Sequence, residues 1–162
     1  MIGRCRKSGH NAVVLYVRVV NVERIRELHG GAAVEQSMIR SAIKLQQQMP
    51  DADCIGRVNE NTMGLILESV TSRSAIMERG ARLVAHGLMP LAGLKPSVTL
   101  QFHVVAAVLA DTPLEAPDLQ TALNGTLAAM SPRTRRPIRF VDGAVPLKPA
   151  PEDDTGMGAL AA

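Results

Sequence analysis

Aromatic residues are the scarcest class in this sequence. Of its 162 residues only 2% are aromatic, with no tryptophan, one tyrosine and two phenylalanines. Proteins that bind single-stranded nucleic acid stack the bases on aromatic side chains, and the net charge of +3 comes from basic residues that are mostly scattered. We therefore expect no nucleic-acid partner, and a core built from Leu, Ile, Val, Met and Ala.

Cysteines and long apolar runs are also few. Cys5 and Cys54 lie far apart and lack partner spacing, which favours free thiols in a reducing compartment over a disulfide. No run approaches the ~20 apolar residues that a membrane span needs, so we expect no direct membrane insertion. The basic start of the chain lacks the pattern of a signal peptide. We interpret residues 1–10 as a basic N-terminal arm or the cut edge of a longer chain.

Strand-like and helix-like patterns alternate along the remaining sequence. A continuous apolar run over 11–20 indicates a central strand covered on both faces. Arg18 interrupts this run; we interpret it as reaching water from the sheet edge, with a ligand-binding arginine as the alternative. The later elements are predicted as a short helix over 21–29 capped by Asn21, a long helix over 32–49, a hairpin, a helix from Ser72 to about His86, a long strand over 97–109, a helix to about Met130 and a short strand over 138–141.

The hairpin lies about one third of the way along the chain. Its strands, near 54–58 and 63–67, flank the polar segment Asn59-Glu60-Asn61-Thr62. Asparagine tolerates left-handed backbone angles, so Asn59 and Asn61 suit a tight reversal.

Four local features complete the prediction. Gly87 suits the stop just past a helix, and Gly80 indicates close packing of that helix on the sheet. The last long helix can begin with the capping box Thr112–Glu115 or at Pro117. His103 falls on the polar side of its strand, and we interpret it as solvated rather than catalytic.

The element order β-α-α-β-β-α-β-α-β predicts an α+β fold. It contains a ferredoxin-like βαββαβ core with an extra helix and edge strand, and a mixed sheet of about five strands. The helices are expected to cover one face of the sheet, or both in part. Residues 143–162 lack apolar periodicity, so we predict a folded domain over 11–142 followed by a disordered tail.

This layout resembles the GGDEF domain, the nucleotide-cyclase-like domain of bacterial diguanylate cyclases, over roughly 11–142. After the first strand come a short helix ending in Gly30-Gly31, a longer helix and an arginine-led hairpin. The segment Arg57-Val58-Asn59-Glu60-Asn61-Thr62-Met63 stands where the family has Arg-aromatic-Gly-Gly-Asp/Glu-Glu-Phe. The resemblance implies the nucleotide-cyclase-type fold and, for active members, synthesis of cyclic di-GMP from GTP.

The departures from the family pattern fall on its chemistry. Asn59 and Glu60 stand at the two glycines over which the family places GTP. Asn61 and Arg18 stand at the acidic residues that hold two metal ions, and an amide or a guanidinium suits a hard cation poorly. Thr62 and Met63 replace the Glu-Phe end of the signature.

Two further family sites are altered as well. The base-contacting positions carry Arg26 and Glu35, of which only Glu35 keeps the acidic character. The inhibitory pattern Arg-x-x-Asp reads Pro50-Asp51-Ala52-Asp53, without its arginine. The family's Asp-x-Leu-Thr segment is absent, so we expect the chain to begin inside a longer protein.

We therefore expect a degenerate GGDEF domain without cyclase activity, with no catalytic residues, no metal and no cofactor. Its predicted role is that of a regulatory or protein-interaction module. We expect it to form the C-terminal output part of a larger bacterial sensor. It would lie in the cytoplasm, where upstream sequence could tether it to the inner membrane. The expected partner is a protein or a weak homodimer. The alternative is a non-catalytic receptor that binds GTP or cyclic di-GMP weakly, with Arg18, Arg26 and Arg57 forming an anion pocket beside Glu35. No Ser-centred elbow or Walker-type loop indicates another chemistry.

Overall fold

A computed structural model describes residues 12–68, 72–91 and 97–141. The predicted basic arm over 1–10, the first residue of the predicted domain, its last residue and the predicted tail over 143–162 lie outside the described residues. The elements are β1 (Val13–Val19), α1 (Val22–His29), α2 (Gly31–Gln48), β2 (Cys54–Asn59), β3 (Thr62–Leu67), α3 (Arg73–Gly87), β4 (Phe102–Val108), α4 (Ala116–Ala128) and β5 (Ile138–Phe140).

The strands form one five-stranded sheet in the order β2-β3-β1-β4-β5. β5 runs parallel to β4, and the other neighbouring strands are antiparallel. The sheet is therefore mixed, and both the predicted element order and the predicted α+β fold are confirmed. β1 lies in the centre, which agrees with its continuous apolar sequence because a central strand is covered on both faces.

Helices cover both faces of the sheet. Leu15 and Val17 of β1 pack into the larger core cluster with side chains of α1, α2 and α3. Val14 and Tyr16 point to the other face, where they join a second cluster with the apolar stripe of α4. Because β1 contributes alternate residues to the two clusters, it is the element that both cores share. In the described ranges, no helix is long and apolar enough to cross a bilayer.

The two predicted N-caps have different outcomes. Ser72 caps α3 as predicted, because its hydroxyl oxygen accepts a hydrogen bond from the Ala75 N–H at 3.2 Å. Asn21 precedes α1 but makes no side-chain cap bond. Its amide instead donates to the Thr99 carbonyl at 2.8 Å, and its Oδ1 accepts from the Gln101 N–H at 3.0 Å. Asn21 therefore occupies the predicted N-cap position, where its carbonyl accepts the Ile25 N–H at 3.1 Å, but its side chain fixes the segment that leads into β4 instead of capping the helix.

That segment also explains why β4 is shorter than predicted. Residues 97–101 were assigned to the strand, but β4 begins at Phe102. The Leu100 N–H donates to the Gly87 carbonyl at the end of α3 at 2.8 Å, and Gln101 accepts from the Val20 N–H at 2.8 Å. The alternating sequence therefore indicates an extended segment whose backbone is bonded partly to a helix end rather than to a neighbouring strand.

The start of α4 and the surroundings of Gly80 and Gly87 test the remaining local predictions. α4 begins at Ala116 with Pro117 in its first turn, so the start at Pro117 is supported and the capping box at Thr112 is not. A Cβ on Gly80 would lie 3.1 Å from Ile138 Cδ1, which agrees with close packing on the sheet. Gly87 is the last residue of α3 rather than the residue after it, and a Cβ there would lie 2.5 Å from the Leu100 carbonyl oxygen.

Candidate functional site

The turn of the β2–β3 hairpin is built without left-handed residues. Among the described residues, no residue other than glycine has a positive φ, so the backbone angles predicted for Asn59 and Asn61 were wrong. The Asn59 side-chain oxygen instead accepts a hydrogen bond from the Asn61 N–H at 3.1 Å. This contact is an Asx turn. The β2–β3 pairing shifts its register between Arg57 and Asn59, which places an irregularity directly before the turn.

Arg57 connects this turn to helix α2. Its Nη1 and Nη2 donate to the two carboxylate oxygens of Glu35 at 2.8 and 3.1 Å. Nε and Nη2 also donate to the backbone carbonyls of Asn59 and Glu60, at 3.1 and 2.8 Å. The hydrogen bond from Arg57 holds the pKa of the Glu35 carboxyl below its usual range, and Glu35 in turn raises the pKa of Arg57.

Arg26 connects the same turn to helix α1. Its Nη2 donates to Glu60, and its Nη1 donates to the carboxylate of Glu23 at 2.6 and 2.8 Å. The hydrogen bond and charge of Glu23, together with the charge of Glu60, raise the pKa of Arg26. We call the pairs Arg26–Glu60 and Arg57–Glu35 the turn ion pairs. Of the predicted site residues, they bring together Arg26, Glu35 and Glu60 beside Arg57.

Arg18 does not join this group. It shares the α4 face of β1 with Val14 and Tyr16, and its guanidinium donates to the Leu127 carbonyl near the C-terminal end of α4. The C-terminal end of a helix carries partial negative charge, so a cation there is stabilising. The side chain is half-buried, and burial lowers the pKa of Arg18. The predicted extension to water was therefore wrong, and the three arginines of the predicted anion pocket do not converge.

The other positions of the predicted signature are structural. The Asn61 carbonyl accepts from the Val19 N–H at 2.8 Å, and its Oδ1 accepts from the Thr62 hydroxyl at 3.1 Å. Thr62 and Met63 are buried, and Met63 belongs to the larger core cluster. These contacts place the signature segment at the end of the central strands, beside the turn ion pairs.

Comparison with known proteins decides the family. The profile described as "Diguanylate cyclase, GGDEF domain" matches residues 1–127. The chain belongs to the GGDEF family. No curated protein sequence matches it.

Solved GGDEF structures share the fold at low sequence identity. The GGDEF domain of TpbB (YfiN) from Pseudomonas aeruginosa has a TM-score of 0.77 at 14% identity, and the alignment covers 90% of this chain and 85% of that one. SiaD from the same organism, solved with its activator SiaC, has a TM-score of 0.67 at 15% identity over 86% of this chain and 53% of SiaD. The GGDEF domain of DgcB from Caulobacter crescentus, in complex with c-di-GMP, has a TM-score of 0.65 at 9% identity over 86% and 82% of the two chains. At these identities the likeness establishes the fold.

The residues of this GGDEF domain do not fit the two metal ions that the family implies. The positions that the sequence resemblance assigns to these ions are Asn61, whose side-chain oxygen accepts from Thr62, and Arg18, whose guanidinium is bonded to a helix end. Within the described ranges, no group of three or more His, Cys, Asp or Glu side chains could hold a metal ion. Magnesium prefers carboxylate oxygens, which neither position supplies.

The segment that stands at the family's inhibitory pattern also has internal partners. Asp53 Oδ2 accepts a hydrogen bond from the Glu68 N–H at 2.8 Å. This bond joins the residue before β2 to the residue after β3. Asp51 forms an ion pair with Arg79 of α3. The two acids of Pro50-Asp51-Ala52-Asp53 are thus held within the domain.

His103 is buried, which contradicts the prediction that it is solvated. Only 3% of the residue is exposed, and it lies beside Arg18 in the sheet. Its Nδ1 has no hydrogen-bond partner in the part of the chain that the structure describes. Burial lowers the pKa of His103, and the positive charges of Arg18 and Arg139 lower it further. The alternating pattern before β4 suggested a half-exposed strand, whereas α4 covers the face on which His103 lies.

We expect the stability of the domain to decrease in mild acid because of His103. Its folded-state pKa is lowered, so the unfolded chain binds the proton first as the pH falls below about 6.5. This part of the stability is complete above that pH and is lost as the pH falls towards the folded-state pKa. Urea unfolding at about pH 7.5 and 5.5 should show a smaller decrease in His103→Leu than in the wild type. Equal decreases in the two proteins would show that His103 is not the group responsible.

Proposed function

We propose that this GGDEF domain is catalytically inactive and acts as a regulatory or protein-interaction module. The observation that carries the proposal is the Arg26–Glu60 ion pair. Glu60 stands at the second glycine position of the family signature, and Arg26 stands at a base-contacting position. Here the two side chains bind each other. Two positions at which active family members contact GTP therefore hold the hairpin turn against α1 in this chain.

Electrostatics supports the same proposal. A nucleotide in the family position would bring its phosphates close to the Glu60 carboxylate, and like charges at short range repel. Access to the arginines would also require breaking contacts with carboxylates, because Arg57 is held by both oxygens of Glu35. Both the repulsion by Glu60 and the loss of the arginine–carboxylate contacts would weaken nucleotide binding, before any chemical step.

The chemical step has its own requirement. Phosphoryl transfer depends on cations that neutralise charge developing on the phosphates and that orient the reacting groups. Arg18 is committed to the Leu127 carbonyl on the α4 face, away from the turn ion pairs. Restoring one signature residue therefore leaves the other requirements unmet, and we expect no single substitution to produce a cyclase.

Action by contact agrees with what is known of one relative. The structure of SiaD contains a protein activator, so a protein with this domain can be part of a protein–protein complex. We propose the same mode for this chain, with a protein partner or a weak homodimer, in the cytoplasmic output part of a larger bacterial sensor.

The alternative function is a receptor that binds GTP or cyclic di-GMP without turnover. It is favoured by the DgcB structure, which contains c-di-GMP, and by Glu35 at a base-contacting position. The turn ion pairs argue against it, because Arg26 and Arg57 already have carboxylate partners.

Calorimetric titration separates the two functions. We expect no saturable heat when about 1 mM GTP with Mg²⁺, or cyclic di-GMP, is added to the wild-type domain, which corresponds to affinities too weak for a receptor. The double variant Arg26→Asn/Glu60→Gly removes the first turn ion pair and serves as the comparison. Saturable micromolar binding to the wild type would reject the contact-only proposal in favour of the receptor.

A further inference from the structure

A cavity of about 500 Å³ lies beside the first residues of strand β4. β4 pairs with β5 over residues 104–106, and the Val104 N–H donates to the Pro137 carbonyl at 2.7 Å. Proline has no N–H with which to extend this ladder. The first two residues of β4, Phe102 and His103, therefore extend past β5. The cavity occupies the space beside them, between the end of α3 and the loop before β5.

Most of the residues that line the cavity are apolar. They include Val84 and Leu88 from α3, Phe102 from β4, and the two prolines of the loop between α4 and β5. Leu88 is 58% exposed, so the cavity is open to solvent. Its volume and its largely apolar lining are typical of a site for a small molecule.

Two polar groups of the lining lack a partner for their side chains. His103 is 3% exposed, and its buried Nδ1 has no hydrogen-bond partner among the described residues. Such an atom is costly to leave unsatisfied. Arg133 is exposed, and its one hydrogen bond within the described ranges comes from its backbone N–H. Its guanidinium is therefore available to a ligand, unlike the guanidinium groups of the turn ion pairs.

The surroundings of the cavity favour a negatively charged ligand. Burial lowers the pKa of His103, and the positive charges of Arg18 and Arg139 lower it further. None of the described residues that line the cavity is acidic. An anion in the cavity would therefore be attracted by these charges. It would not have to displace a carboxylate from Arg133.

We propose that this cavity binds a small carboxylic acid with an apolar chain. The carboxylate accepts hydrogen bonds from the Arg133 guanidinium and from His103 Nδ1, which donates when the imidazole carries its proton there. The chain packs against Val84, Leu88 and Phe102, and burial of its surface adds affinity.

The number of available donors and the apolar lining select this class of ligand. A guanidinium and one imidazole N–H suit the two oxygens of a carboxylate, whereas a phosphate group carries more charge and offers three oxygens. A bare inorganic ion would leave the apolar wall unused. No residue of the turn ion pairs lines the cavity, so the site goes beyond the proposed contact function and does not depend on it.

Titration of the whole chain with octanoate, followed by NMR, tests the site. We expect saturable binding with a dissociation constant of about 1 mM, because a small ligand in an open cavity gains limited affinity. The nitrogen resonance of His103 Nδ1 should shift as this atom gains a hydrogen bond. Octanamide has the same chain without the charge and should bind about tenfold more weakly. Acetate has the charge without the chain and should not saturate over the same range.

Two pairs of variants locate the ligand. Arg133→Gln should raise the dissociation constant for octanoate about tenfold. Its matched control is Arg135→Gln, which is exposed in the same loop and does not line the cavity. Leu88→Ser should raise the constant about threefold to tenfold by removing apolar contact. Met89→Ser is its control, because Met89 is 56% exposed and lies outside the cavity. Both controls should bind as the wild type does.

The four substitutions fall on exposed residues, so circular dichroism should show every variant folded. Absence of saturable octanoate binding, or equal binding by Arg133→Gln and the wild type, would overturn the site. Octanamide that binds as tightly as octanoate would reject recognition of the carboxylate, and acetate that does so would reduce the site to one for a simple ion. None of these results bears on cyclase turnover or on nucleotide binding, so failure of this inference and failure of the proposed function are distinguishable.

Discussion

Replacing Arg18 by aspartate, the residue type at the matching family position, is expected to lower the free energy of unfolding by about 2–3 kcal/mol. The wild-type guanidinium donates to the Leu127 carbonyl near the end of α4. Aspartate removes that donor and places a half-buried negative charge against the negative end of the helix, which reverses a favourable interaction. A substitution towards the family pattern would therefore weaken this chain.

Arg18→Met is the matched control for this prediction. Methionine keeps an unbranched apolar stem and loses only the hydrogen bond and the charge, so a smaller loss of about 1 kcal/mol is expected. Urea unfolding of the two variants and the wild type at neutral pH gives both differences. If Arg18→Asp were as stable as the wild type, the guanidinium would not stabilise the end of α4, and our account of Arg18 would be wrong.

Gly87→Ala is expected to lower the free energy of unfolding by about 2–4 kcal/mol, although alanine is the better helix former. Helix propensity alone would favour alanine by roughly 1 kcal/mol. The new Cβ would lie 2.5 Å from the Leu100 carbonyl oxygen and 2.7 Å from Cδ2 of Phe102. The Leu100 carbonyl lies in the same peptide plane as the Gln101 N–H, which donates to Asn21 Oδ1, and the Leu100 N–H donates to Gly87. Because the segment is bonded on both sides of this carbonyl, we expect overpacking to outweigh propensity.

Gly125→Ala tests whether the contact, rather than the removal of a glycine, causes this effect. Gly125 lies in α4, is exposed, and has nothing within 4 Å of a Cβ. We expect Gly125→Ala to stabilise the domain by about 0.5–1 kcal/mol. Thermal and urea unfolding of the two variants should therefore shift in opposite directions, and a shift in the same direction would contradict the packing assigned to Gly87.

The order of elements was predictable because its signals are local. The β-branched run of β1, the helical spacing in α2 and α4, and the cap at Ser72 each occupy a short stretch of sequence, and each was correctly interpreted. The boundaries of β4 and the role of Asn21 were not. Both depend on contacts between residues about 80 positions apart, such as the bond between Asn21 and Gln101, which periodicity cannot indicate.

In the candidate site, too, local features were predictable from the sequence and contacts between distant residues were not. The hairpin and the positions of Arg26, Glu35 and Glu60 near it followed from the pattern and from the family resemblance. The pairing of Arg26 with Glu60 did not, although opposite charges at two altered family positions were a usable signal. Arg18 was misjudged because a single charge in an apolar strand suggested water. Its partner is a backbone carbonyl 109 residues away, and a carbonyl has no sequence signature.

Turnover of GTP is the measurement that tests the central claim most directly. The purified domain, and a fusion that forces it to dimerise, are incubated with GTP and Mg²⁺ or Mn²⁺, and the products are separated by chromatography. Each 1.36 kcal/mol of lost transition-state stabilisation is a tenfold loss of rate, so replacement of both acidic ligand positions and both glycine positions predicts no cyclic di-GMP above a heat-killed control. Clear product in either sample would contradict the proposal, and would show that Arg18, Asn59, Glu60 or Asn61 does not occupy the family position we assign to it.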